Sequence, residues 1–119
     1  MTKVGEVSQR VIDLLSIDIE EGTPIYIGKS NVMHMSQKHK ADYRTYRKHL
    51  SEIIKYPDYI GLNPNDDSIE YIKIFETNST FVKVAIRVSA NNVCYARTIY
   101  ARDIVKLKRY VSGGHLIKY

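Results

Sequence analysis

The chain has 119 residues, 44% of them hydrophobic, which suits one compact domain and leaves no room for a linker and a second one. A net charge of +5 and a pI near 9.3 favour an anionic partner. The single cysteine, Cys94, excludes an internal disulfide and any cysteine-based zinc cluster of the usual spacings, so stability must come from packing.

Charge is distributed unevenly. Residues 1–28 carry two positive and five negative side chains, residues 29–55 seven and two, and residues 56–119 nine and six. The N-terminus lacks the apolar core of a signal peptide, and no stretch approaches the roughly 18 apolar residues of a membrane span. A cytoplasmic protein with no membrane partner is therefore expected.

Val4, Val7, Val11, Leu14 and Leu15 recur at helical spacing and predict an amphipathic helix over residues 3–16, followed by an acidic loop to Gly22. Residues 24–28 predict a short strand closed by Gly28, and Ser30 or Asn31 is placed to cap the next helix. A further helix over 41–56 presents Tyr43, Tyr46, Leu50, Ile53 and Ile54 on one face and stops at Pro57. Beyond it, alternation with turn signals predicts an antiparallel meander with strands at 58–62, 68–76, 80–89 and 93–100. A closing helix over 101–110 and a mobile tail containing Gly113 and Gly114 complete an α+β pattern: N-terminal helices packed on a four- to five-stranded antiparallel sheet, with a short C-terminal helix.

The strand over 80–89 separates Val82, Val84, Ile86 and Val88 from Phe81, Lys83, Ala85 and Arg87. Matching Ile72 and Ile74 to the apolar set leaves Tyr71, Lys73 and Phe75 beside Lys83 and Arg87. The second face is then basic and aromatic, able to hold phosphate and stack a base, or else simply a solvated outer face. In the strand over 93–100, either Val93, Tyr95, Arg97 and Ile99 or Cys94, Ala96, Thr98 and Tyr100 face inward. Cys94 reads as packing more readily than as a nucleophile.

The most informative pair is His34 and His39, inside a cationic, tyrosine-rich segment that also holds Lys38, Lys40, Tyr43, Arg44 and Arg47. Histidine, with an unperturbed pKa near 6.5, both takes and gives protons near neutrality. In an unbroken helix the two would lie about 140° apart, so a bend near Lys40 is needed for them to converge. Histidines five positions apart suit a zinc helix poorly, and the alternative is a pair of ordinary surface residues. His49 and His115 are not favoured for chemistry. Gly28-Lys29-Ser30 matches only the end of a phosphate loop, and paired carboxylates at a cleft are not evident.

Met33-His34-Met35-Ser36-Gln37-Lys38-His39, then Tyr43, Ile53 to Ile60 with its Pro57-Asp58-Tyr59-Ile60, Tyr71-Ile72-Lys73 and Ala96-Arg97-Thr98-Ile99-Tyr100 stand in an order that resembles the phage-associated branch of the barnase–EndoU–colicin–RelE-like (BECR) nucleases, often written PBECR. The resemblance covers about residues 24–101 of a single domain spanning 1–119, with the helix over 3–16 as an addition. It implies a helix-plus-antiparallel-sheet fold and a metal-independent ribonuclease of phage, mobile-element or toxin settings, working without a cofactor. By position, it implies His34, His39, Lys73, Arg97 and Thr98 as catalytic residues.

The expected reaction is attack of a ribose 2′-hydroxyl on the adjacent phosphate, giving a 2′,3′-cyclic phosphate and a 5′-hydroxyl. His39 is the preferred base, His34 or a protonated neighbour the acid, and Lys73, Arg97 and Thr98 stabilise the charge on phosphorus. Lys38, Lys40, Tyr43, Arg44, Arg47, Tyr71, Lys83, Arg87 and Tyr100 are the expected RNA contacts, with tRNA or ribosome-associated RNA among the targets. The competing readings are a non-catalytic RNA- or ribosome-binding module using the same basic face, and a domain docking on an acidic immunity or antitoxin protein.

Overall fold

A computed structural model describes residues 1–119. The N-terminal segment is a strand before it is a helix: β1 (Thr2–Glu6) precedes α1 (Gln9–Leu15), which corrects the single helix expected over 3–16. Ser8 decides the boundary, because its Oγ accepts from the Val11 N–H at 3.2 Å and so caps α1. Gly5, a poor helix residue, is needed in β1 for another reason. A Cβ there would lie 2.8 Å from Ile54 Cγ2, so glycine lets a later helix pack against the strand.

β2 (Pro24–Ile27) leads into α2 (Lys29–Lys38). The N-cap is Gly28, and Asn31 reaches back to accept its N–H at 2.8 Å, so the turn starts two residues before the expected Ser30. The helix expected over 41–56 is divided into α3 (Lys40–Tyr46) and α4 (Leu50–Lys55) by a tight 3-10 turn over Arg47–His49. The strands β3 (Tyr59–Leu62), β4 (Ile69–Phe75), β5 (Thr80–Val88) and β6 (Cys94–Asp103) form the predicted meander. A 3-10 turn and α5 (Leu107–Ser112) follow, so the closing helix starts later than expected. The tail is β7 (Leu116–Lys118), paired antiparallel to β3.

The fold is α+β, and its sheet has seven strands in the order β1-β2-β6-β5-β4-β3-β7, more than the four or five expected. All neighbours are antiparallel except β2 and β6, which pair in parallel through Ile25↔Cys94 and Tyr26↔Tyr95. The short strand expected over 24–28 is β2, and the surplus comes from β1, read in sequence as the start of a helix, and β7, read as a tail. No helix is long and apolar enough to cross a membrane.

Helices α1 to α4 cover one face of the sheet, where Val11, Met35, Tyr46, Leu50 and Ile53 pack on Ile25, Ile69, Tyr71, Val82, Val84, Ile86 and Ile99. The other face holds a small cluster of Ile72, Phe81, Leu107 and Leu116 beneath α5 and is otherwise open.

Candidate active site

Register decides which side chains share the open face. Ile72 pairs with Lys83 and Ile74 with Phe81, so Glu70, Ile72 and Ile74 lie on the Lys83 side. Tyr71 and Lys73 belong to the helix-covered side, the reverse of the expectation. Tyr71 is fully buried and is thereby removed from any surface that stacks a base. Lys73 donates to the Tyr56 carbonyl at 2.8 Å, on the side of the sheet away from Arg97 and Thr98. The alternation in β4 misled because isoleucines occupy both faces: one set enters the main core, the other the cluster under α5.

In β6 both inward sets are half right. Ala85 faces Thr98 but Ile86 faces Ala96, so Arg97 is an extra residue and the strand bulges there. Cys94 and Ala96 point into the core before the bulge, Ile99 after it, and Thr98, Tyr100 and Arg102 line the open face.

Tyr100 is the hub of that face. Its ring lies 4.7 Å from Lys83 Nζ, 5.2 Å from the Arg102 guanidinium and 5.2 Å from the His39 ring, stacked at 24°. Its hydroxyl is 3.1 Å from that of Tyr110. His39 arrives there because it forms the break between α2 and α3, with φ −140° and ψ 59°. Along β6, β2 pairs with Cys94 and Tyr95 alone, which leaves the rest of that edge without a strand partner, and Asp42 in the first turn of α3 accepts the Ala101 N–H at 2.9 Å. The bend at His39 and the Asp42 anchor together set the imidazole against Tyr100.

Beneath this hub is Glu70, only 2% exposed. Its carboxylate accepts from Lys83 Nζ at 3.1 Å and Asn63 Nδ2 at 3.3 Å, and lies 2.8 Å from His115 Nε2. A buried carboxylate needs such partners. Burial by itself lowers the pKa of the Lys83 ammonium, but the polar contact with Tyr100 and the charge of Glu70 outweigh it and hold the group above its ordinary value. The Tyr110 hydroxyl is also raised, first by its hydrogen bond with Tyr100 and then by burial.

The remaining expected residues divide into groups. Lys38 and Lys40 are exposed on either side of His39, and Arg44 is exposed on α3. Arg87 and Arg97 border a second cleft of about 630 Å³ with Lys29, Ser30, Asn31 and Tyr95. Tyr43 and Arg47 line a third, beside Met33 and Lys29. His34 is exposed in the middle of α2, makes no side-chain hydrogen bond, and is not joined to His39. No group of three or more His, Cys, Asp or Glu side chains is placed to share a metal ion.

Sequence reasoning passed over Glu70, His115, Tyr110 and Arg102. Glu70 carried a signal, since a lone carboxylate within Ile-Glu-Tyr-Ile in a central strand requires buried partners. His115 carried none, because its position depends on the pairing of β7 with β3 across the whole chain.

The open face thus gathers cations, phenols and two imidazoles around one anchored carboxylate, groups suited to holding phosphate and transferring protons. No curated protein and no solved structure matches the chain. A family profile does match, over residues 2–109, a span that runs from β1 into α5. The chain belongs to that family, phage-Barnase-EndoU-ColicinE5/D-RelE like nuclease 3, and is a nuclease.

Proposed function

We propose that the nuclease cuts RNA, without a metal ion, by internal attack of the 2′-hydroxyl. The observation that carries this reading is the contact chain His39–Tyr100–Lys83–Glu70–His115, which sets two imidazoles about a sheltered cation on one face. His39 takes the proton of the 2′-hydroxyl, whose oxygen bonds to phosphorus. The bond from phosphorus to the 5′-oxygen then breaks, and His115 gives that oxygen its proton, leaving a 2′,3′-cyclic phosphate and a 5′-hydroxyl.

Lys83 and Arg102 replace Lys73 in this scheme as the cations that stabilise the pentavalent phosphorane, with Thr98 and Arg97 further along β6. Lys83 suits the role because it stays charged and is held rather than mobile. Glu70 orients His115 by occupying its Nε2. Lys38, Lys40 and Arg44 extend the cationic track for the RNA backbone. The setting proposed is phage-borne or toxin-type, with an acidic immunity or antitoxin protein as its natural antagonist.

The test is incubation of purified protein with end-labelled total RNA in EDTA, beside His39→Ala and His34→Ala variants, with product termini mapped. Cyclic-phosphate ends from the parent and His34→Ala, and a loss of about 10²-fold or more in His39→Ala, are expected. Products ending in a 3′-hydroxyl, or cleavage that returns only with added divalent metal, would refute the mechanism. RNA retained but intact would leave a binding module in its place.

A further inference from the structure

The end of β6 and the segment after it are basic, with Arg102, Lys106, Lys108 and Arg109 inside eight residues and Asp103 the one acid among them. The 3-10 turn over Ile104–Lys106 and the start of α5 bring three of these together. Gly114, at φ +93°, then reverses the chain so that β7 can return along β3. The result is a recess of about 380 Å³ lined by Arg102, Lys106, Arg109, Tyr110, Gly113 and His115, with no carboxylate in its wall.

The protein's ion pairs are Lys3–Glu6, His49–Glu52, Lys83–Glu70 and His115–Glu70. None involves Arg102, Lys106 or Arg109, so three permanent cations converge on one hollow without a counter-charge. All three are exposed and screened by solvent, and together they give the recess a positive potential that favours an anion. The recess is also continuous with the nuclease centre, because Tyr110 in its wall touches Tyr100 and His115 reaches Glu70.

We propose that this recess is a subsite for a backbone phosphate of the substrate strand, flanking the bond that is cut. The inference rests on the ribonucleolytic reading of the neighbouring centre. A phosphodiester suits it better than an acidic protein segment. Only six residues line the recess, and its arginines can grip phosphate oxygens in pairs while Tyr110 meets the sugar.

The experiment uses a single-stranded oligonucleotide with 2′-deoxyribose throughout, which lacks the attacking hydroxyl and binds without being cut. Its affinity is measured by fluorescence anisotropy across a salt series for the parent, for Lys106→Ala/Arg109→Ala, and for Lys3→Ala/Lys55→Ala, which removes equal charge elsewhere. The recess variant is expected to bind about 10-fold more weakly at low salt, with a log–log salt slope shallower by roughly 0.7 for each phosphate it no longer neutralises. The control pair should keep the parental slope. Equal losses in both variants, or none in the recess variant, would overturn the subsite. Because the probe cannot be cleaved, the two readings fail separately. The expected slopes from a protein that never cuts RNA would sink the ribonuclease reading and keep the phosphate site, while unchanged slopes in an active ribonuclease would do the reverse.

Discussion

The ion pair beneath Tyr100 predicts a strong thermodynamic coupling between Glu70 and Lys83. Their side chains are 3% and 14% exposed and 3.1 Å apart, so neither charge is well hydrated once its partner is gone. At an effective dielectric constant of about 20, charges at this range attract by roughly 5 kcal/mol, an upper bound on the net effect. Breaking one side of a buried pair typically costs about 3–5 kcal/mol. Glu70→Gln leaves the ammonium facing an amide, and Lys83→Met leaves the carboxylate with His115 and Asn63 alone. The double variant removes both charges, and its loss should be about 2 kcal/mol or more smaller than the sum of the singles. Urea unfolding of the four proteins at pH 7 measures this. The Lys83 pKa is raised on folding, so its contribution is complete below the ordinary value of 10.5 and is lost only as pH climbs through the folded value. The coupling should therefore be intact at pH 7. Additivity to within about 0.5 kcal/mol would refute the pair as an energetic unit.

Tyr71→Phe should stabilise the fold by about 1 kcal/mol, because the Tyr71 hydroxyl is buried in the core with no hydrogen-bond partner; a lower melting temperature would contradict that placement. Burial pushes the Cys94 thiol from 9.0 up to about 11. The unfolded chain therefore releases this proton first, and stability should fall between about pH 9 and 11 more steeply in the parent than in Cys94→Ala, read from urea midpoints at pH 8 and 10.5. Gly61→Ala should cut RNA poorly even where it folds, since a Cβ at Gly61 would collide with the His115 carbonyl and push β7 off β3. Normal cleavage with unshifted His115 imidazole resonances would show that β7 does not position the site.

The meander from β3 to β6, the stop at Pro57 and the basic character of residues 29–55 follow from local alternation, turn residues and composition, and all are legible in the amino-acid sequence. The bend between α2 and α3 is legible there as a requirement, though not as the stacking of His39 on Tyr100. Lys83 and Tyr100 are each expected from sequence to contact RNA, and their direct opposition across β5 and β6 comes only with the register.

What sequence could not decide was face and long-range pairing. Isoleucine at 69, 72 and 74 satisfies two different apolar clusters, so periodicity alone could not assign β4, and Lys73 was expected on the face that the register leaves to Lys83. The bulge at Arg97 inverts the parity of β6 within one strand. The return of β7 to β3 joins Glu70 to His115 across 45 positions. Local chemistry therefore determined that this chain is an α+β domain built for an anionic substrate. Only tertiary structure decided which side chains meet, because a one-residue slip in register exchanges the faces of a strand and no local signal records it.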